Sequence, residues 1–213
     1  MKGIFISFEG TEGSGKTSII KKVAAFFEAK GMKVLTTREP GGIRISEKIR
    51  EILLNRSHTE MDPRTEALLF AASRRQHLIE KIIPALEAGQ LVLCDRFVDS
   101  SLVYQGLARG LGLDEVFSVN QFAIEQHLPD CTLFVDVRPE VGLERVFKTP
   151  DREVNRLDLE TIEFHKKIYQ GYMHLLELFP HRIKRIRGEG SIDEVASEAI
   201  AVIDALVRQE ASR

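Results

Sequence analysis

Gly10-Thr-Glu-Gly-Ser-Gly15-Lys16-Thr17 fits the spacing GxxxxGK[ST]. That pattern suits phosphate. Glycines let successive backbone N–H groups curl around anionic oxygens without a Cβ in the way, and a helix opening at Lys16 adds its partial positive charge. Gly10, Thr11, Glu12, Gly13, Ser14, Gly15, Lys16 and Thr17 form the expected cradle. Lys16 would reach the β- and γ-phosphates of a nucleotide, and Thr17 would offer a hydroxyl to Mg²⁺. The motif follows the apolar run Ile4-Phe5-Ile6-Ser7-Phe8. It opens a stretch in which Ile19, Ile20, Val23, Ala24 and Phe27 recur at helical spacing, the strand–loop–helix context that the motif needs.

A phosphate cradle fixes nucleotide binding but not the reaction. A GTPase needs a DxxG sequence, and none occurs. Asn155-Arg-Leu-Asp158 has the spacing of a guanine motif, but no apolar strand precedes it, and Asp158 reads as a helix N-cap. A kinase for a phosphorylated acceptor must bring two anions together, so it needs several cations around the transfer point. Asp95-Arg96 directly follows the apolar run 91–94. Asp95 can serve Mg²⁺ or its waters, and Arg96 can grip a phosphate with its fork. An ordinary strand-end ion pair is the plain alternative. Arg38-Glu39-Pro40-Gly41-Gly42 makes a sharp turn after run 33–37. Phe70 and Arg74 sit four apart on one helix, so ring and guanidinium can share a face and suit a base and its phosphate, although a core ring beside a solvated arginine is the plainer reading of the spacing. Arg145, Lys148, Arg152 and Arg156 punctuate a polar stretch broken by Pro150, a candidate basic lid or else a solvated loop.

These residues require a frame. Runs 3–8, 33–37, 91–94, 132–137 and 183–186 are too short for helices and rich in Ile, Val, Leu and Phe, as buried parallel strands are. Amphipathic stretches alternate with them. The longest, 62–88, has Asp62-Pro63 as N-cap and first position and Gly89 as its stop. Ser191-Ile-Asp-Glu194 is a capping box before the last helix. The alternation predicts an α/β fold: a three-layer sandwich of about five parallel strands with helices on both faces and ligands at the strands' carboxyl ends.

Composition narrows the classes. A length of 213 residues predicts one domain. Thirty Lys+Arg against thirty-two Asp+Glu give a net charge of −2, which argues against coating nucleic acid or an anionic membrane. Two cysteines make no disulfide framework, and Cys94 reads as a core residue. No apolar run approaches the roughly 18 residues of a membrane span, and no leader is visible, so a cytoplasmic protein is expected. The six histidines show no metal-ligand spacing and read mostly as surface or helix-face residues. The stretch 116–124 is unusually apolar for one helix and suits either the core or an interface.

Four phrases together resemble the thymidylate kinases, in their bacterial branch. They are Phe8-Glu-Gly-Thr-Glu-Gly-Ser-Gly-Lys-Thr17, Thr37-Arg-Glu-Pro-Gly-Gly42, Leu69-Phe-Ala-Ala-Ser-Arg74 and Asp95-Arg-Phe-Val-Asp-Ser-Ser-Leu-Val-Tyr-Gln-Gly106. The resemblance covers essentially the whole chain and implies Mg²⁺-dependent transfer of the ATP γ-phosphoryl to dTMP, in dTTP biosynthesis, by a homodimer. It implies that Phe70 stacks on thymine, that Gln105 and Arg74 read its polar edge with Ser101 nearby, and that Arg96 and Arg50 hold the acceptor phosphate. Glu12 would approach the 3′-hydroxyl, Tyr104 would crowd the 2′ position, and Glu39 with Pro40 would support the pocket. Lys16 and Arg96 would be catalytic. A phosphate loop without arginine resembles the bacterial arrangement, which implies that the transition-state cation comes from the lid, from Arg152 and Arg156 with Arg145 behind them. The acceptor segment would span about 38–75 and the lid about 143–158. Phe97 and Ile43 stand where many relatives carry Tyr and Thr, and neither change removes a charge. The alternatives are another P-loop nucleoside or nucleoside-monophosphate kinase, or a nucleotide-binding regulator without turnover.

Overall fold

A computed structural model describes residues 3–148 and 154–211. Its centre is an all-parallel sheet in the order β2-β3-β1-β4-β5. The strands are β1 (Ile4–Glu9), β2 (Val34–Arg38), β3 (Leu91–Asp95), β4 (Cys131–Asp136) and β5 (Ile183–Arg187). Each agrees with an apolar run of the sequence to within one residue at either end.

Period-two alternation divides the strands between two faces. Ile4, Ile6 and Phe8 pack with residues of α1 (Lys16–Ala29) and α9 (Ile192–Ala211). Phe5, Val92 and Cys94 face the opposite layer, where Ala71, Leu78, Ile82 and Ala85 cover them. Phe134 and Ile183 pack under α8 (Ile162–Leu178). The fold is therefore the expected α/β sandwich, and β1 lies at its centre, where neighbouring connections leave in opposite directions. That crevice is the usual ligand position in such sheets.

The helical stretch 62–88 starts as its sequence dictates. The Asp62 carboxylate accepts from the N–H groups of Arg64 and Thr65, and Pro63 occupies the first turn of α3 (Pro63–His77). It does not continue as one regular helix. A π-helical turn, Leu78–Ile82, precedes α4 (Ile83–Glu87), and Ile83 N–H bonds the Leu78 carbonyl. Pro84 has no N–H, and its ring crowds the carbonyl one turn back, so a wider turn just before it relieves the clash. The Ser191/Glu194 capping box forms in both directions.

One expectation is corrected, and two readings are made specific. Asp158 caps no helix; Thr161 caps α8 by accepting from Phe164 N–H, while Asp158 accepts from Asn155 N–H in a buried turn. Of the histidines, His77 and His165 lie on helices and are buried in the core. On α6 (Leu113–Ile124), Val116, Ala123 and Ile124 point into the chain's own core, and Phe122 is left 90% exposed. Among the described residues no helix is long and apolar enough to cross a membrane.

Candidate functional site

The carboxyl ends of the three strands β1, β2 and β3 open on a cleft of about 670 Å³. Its phosphate end is the loop between β1 and α1. Gly13 has φ +70, and a Cβ there would meet the Gly142 carbonyl oxygen at 2.0 Å. A Cβ on Gly142 would in turn meet the Glu12 carbonyl at 2.1 Å. Two glycines are thus needed for the loop to touch the backbone of α7 (Pro139–Lys148), the helix leading into the proposed lid.

Lys16 is buried, and its ammonium donates to the Gly10 carbonyl (3.1 Å), the Thr11 carbonyl (3.0 Å) and Ser14 Oγ (3.0 Å). Three acceptors match the three N–H bonds of an ammonium. Burial, aided by Arg96, pushes its pKa down to about 8, against the pull of Asp95, Glu12 and Glu9. Thr17 Oγ1 donates to Asp95 Oδ2 at 2.7 Å. These two hard oxygen donors, side by side at a helix start and a strand end, fit Mg²⁺, which prefers oxygen ligands and keeps waters and substrate phosphates in its shell. No cluster of three or more His, Cys, Asp or Glu side chains suited to a metal occurs among the described residues.

Arg96 joins the two halves of the cleft. Its backbone takes φ +69, with its N–H donated to the Phe8 carbonyl at 2.9 Å. An L-residue in that region is held against its preference, as happens at functional sites. Its Nη2 donates to Glu12 Oε1 (2.9 Å), its Nη1 to Ser100 Oγ (3.1 Å) and Tyr172 OH (3.3 Å), and its guanidinium lies 5.1 Å from the Tyr104 ring centre. Glu12 also accepts from Tyr104 OH at 2.6 and 2.7 Å. Burial opposes ionisation of Glu12, but Arg96 first, then His165, Lys16 and Tyr104, hold its carboxyl well below the usual range.

Glu9 is a site carboxylate that the sequence reading missed. It accepts from Phe97 N–H (2.7 Å), Ser100 Oγ (2.5 Å) and Tyr172 OH (2.8 Å). Burial and then Asp99 push its pKa up to about 7, against Arg96, Ser100 and the Phe97 N–H. The available signal was a lone carboxylate ending an apolar strand, one residue before the phosphate loop.

The acceptor end brings the expected residues together. Phe70, Arg74, Ser101, Tyr104 and Gln105 line the same cleft as Lys16, Glu39 and Arg96. Ser101 ends α5 (Val98–Ser101), and a π-helical segment, Leu102–Ala108, carries Tyr104 and Gln105. Arg50, on α2 (Arg44–Leu54), donates to the Pro40 carbonyl at 3.1 Å and also lines the cleft. The Glu39–Pro40 peptide bond is cis. Arg38 lines the cleft as well and is held by Glu47 at 2.9 and 3.2 Å.

Arg74 is more committed than the sequence suggests. Four of its five N–H donors go to Glu39 (2.8 Å), Ser101 (2.9 Å), Asn120 and the Phe97 carbonyl (3.0 Å), which leaves one on Nη2. Glu39 is fixed in turn by His77 Nδ1 at 2.9 Å. Arg74 is therefore both a wall of the pocket and the bolt that joins α3, α5 and α6.

The lid expectation changes most. Arg156 does not line the cleft. Its side chain donates to the Leu53 carbonyl at the end of α2 (3.0 Å) and to Glu66, while its neighbours Asn155, Leu157 and Asp158 do line the cleft. Arg145, the first of the four basic residues of that stretch, does line the cleft. Arg152 lies outside the described residues, as does the lid segment 149–153.

Comparison with known proteins follows the same outline. A family model described as thymidylate kinase matches residues 8–199. A thymidylate kinase of Geobacillus thermodenitrificans (strain NG80-2) is 56% identical over all of this chain and 94% of its own. One from Clostridium novyi (strain NT) is 55% identical over 92% of this chain and 96% of its own. The crystal structure of thymidylate kinase from Ehrlichia chaffeensis superposes with a TM-score of 0.78 at 30% identity, covering 95% of this chain and 100% of that one. The phosphate loop, the Asp95-Arg96 strand end and the aromatic-and-amide pocket thus lie within a match that spans nearly the whole chain, and the chain belongs to the thymidylate kinase family.

Proposed function

We infer that the protein transfers the γ-phosphoryl group of ATP to dTMP, giving dTDP and ADP. One observation carries the reading: a single cleft holds Lys16 of the phosphate loop at one end, Phe70, Arg74 and Gln105 at the other, and Arg96 between them. The acceptor oxygen is a phosphate oxygen, already ionised near neutrality, so no strong general base is required. Catalysis is then positioning and charge neutralisation. Lys16 holds the transferring phosphoryl group, Arg96 and Arg50 hold the acceptor phosphate, and Phe70 stacks on the base. Tyr104, tied to Glu12, narrows the space beside the sugar. Thr17 and Asp95 would hold Mg²⁺, which when bound supplies charge neutralisation between the phosphates. Arg145 and Arg152 supply lid cations; Arg156 is reassigned to holding the lid's stem.

In this reading one kinase domain carries an acceptor segment at 38–75 and a lid at 143–158, and it works in the cytoplasm, where both substrates are found. A panel of dTMP, dUMP, dCMP, dGMP and UMP with ATP and Mg²⁺ tests it, with dTMP expected to give the highest kcat/KM. Preference for another monophosphate would replace the substrate. ATP binding without any diphosphate product would replace the activity.

A homodimer belongs to the same proposal. Phe122 on α6, 90% exposed, and Leu68 on α3, 57% exposed, offer apolar surface on two helices. Light scattering should give twice the 24.1 kDa of the chain, and Phe122→Glu should shift it toward one. A wild-type mass of one chain at micromolar concentration would remove the dimer from the proposal.

A further inference from the structure

Glu66, on α3, is 1% exposed, and nothing in the chemistry of phosphate transfer calls for it. It is nevertheless the acceptor for three side chains. Gln105 Nε2 donates to Oε1 at 2.9 Å, Arg109 donates at 3.2 Å to each carboxylate oxygen, and Arg156 donates to Oε2. Arg109 is itself held by Glu160 at 2.6 Å, just beyond the proposed lid. A buried carboxyl group facing two guanidinium groups is ionised, and an ionised carboxylate can only accept.

This determines which way Gln105 faces. An amide can be turned end for end with little change of shape, so its orientation follows from its partners. Beside Glu66 only the nitrogen end is possible. Gln105 lines the cleft. With one N–H given to Glu66, its amide oxygen and second N–H remain for a ligand.

We propose that Glu66 is a specificity-determining positioning residue: it holds Gln105 by its nitrogen and so presents an acceptor oxygen beside a donor N–H to the base. The proposal rests on dTMP being the acceptor. Thymine offers an N3–H donor flanked by carbonyl acceptors, which matches that order. Cytosine offers an N3 acceptor beside an amino donor, the reverse order. A Gln105 turned end for end would favour cytosine, and Glu66 forbids the turn. Glu66 touches no substrate; it acts through Gln105, while Arg156 ties the same carboxylate to the stem of the lid.

The test is Glu66→Gln, assayed with dTMP and dCMP under saturating ATP and Mg²⁺. Two guanidinium groups will claim the single oxygen of the new amide, so its nitrogen must face Gln105, which then turns. The ratio of kcat/KM for dTMP over dCMP is expected to fall about 10- to 100-fold, mostly through a higher KM for dTMP. A role confined to stability would depress both substrates alike and leave the ratio unchanged, and that result overturns the proposal. Glu66→Asp keeps an acceptor-only group and must keep the preference even with a lower melting temperature. Loss of preference in that variant also overturns it, and Glu66→Asp decides alone if Glu66→Gln fails to fold. A wild-type enzyme that does not prefer dTMP would sink the functional reading, which is a separate outcome.

Discussion

Arg96→Ala is expected to lower kcat/KM for dTMP by about 10³-fold, with most of the loss in kcat. The size follows from position. Arg96 is the only residue among those described that touches Glu12, Ser100, Tyr172 and the Tyr104 ring at once, at the boundary between the phosphate loop and the acceptor end. Removing one preorganised donor at a site of developing charge costs about 10² to 10³ in rate, and a guanidinium presents several. The substitution is a clean one for the backbone. Alanine and arginine meet the same left-handed φ of +69 with the same Cβ, so that strain is unchanged. The side chain's second duty is not spared. Glu12 would stay buried with Tyr104 OH and, at 3.6 Å, His165, but without its main cationic partner, Lys16 acting on it less strongly. A buried carboxylate stripped of its partner costs about 3 kcal/mol of stability. Arg96→Lys should recover part of the stability and less of the rate, because one ammonium cannot reproduce the fork. Steady-state kinetics beside urea melts separate the two effects. A folded Arg96→Ala enzyme within 10-fold of wild type would remove Arg96 from the transfer site.

Much of this was legible in the sequence, for reasons that can be named. The five strands show because both faces of the central strands β1, β3 and β4 are buried, which makes them short apolar runs, while the edge strands β2 and β5 keep enough Val, Leu and Ile to be seen. The phosphate loop shows because only certain residues at fixed offsets can curl the backbone around phosphate. Helical period puts Phe70 and Arg74 on one face, and it is the family resemblance, not the spacing, that puts them in the acceptor pocket. What stayed hidden depends on partners far apart in the chain. Glu66 reads as an ordinary surface helix residue until Gln105, Arg109 and Arg156 are seen converging on it. His77 looks like a helix-face histidine until Glu39 and Thr37 are found on its two nitrogens. Arg156 carries the right charge in the right stretch, yet charge along a sequence cannot say that a side chain folds back onto the end of α2. Asp99 is a related case: its bidentate pair with Arg182, at 2.6 Å for both contacts, fastens α5 to the edge of the sheet across 83 residues.

Lys16→Met is expected to reduce kcat by about 10³-fold while weakening ATP binding far less. Methionine keeps the length of the stem and removes the charge. In the structure the ammonium is already drawn into the loop by the Gly10 and Thr11 carbonyls and by Ser14 Oγ. Incoming phosphate oxygens therefore meet a cation fixed on rigid backbone, which reorganises little as charge builds on the transferring group. The backbone N–H groups of the loop and the start of α1 survive the change, and they supply much of the ground-state hold on the nucleotide. That division predicts a kcat effect larger than the binding effect. The loop itself should also loosen. Two carbonyls and a hydroxyl lose their donor, at about 1–3 kcal/mol per group left without a partner, less where water replaces it. Lys16→Arg should not restore activity, because a planar guanidinium cannot direct donors at three converging acceptors in so small a space. Calorimetric titration with ATP, single-turnover transfer to dTMP and a thermal melt measure binding, chemistry and loop stability in turn. Should the Met variant lose ATP binding while kcat is unchanged, Lys16 would be a ground-state anchor and the transition-state charge would have to come from Arg96, Arg145 and the lid.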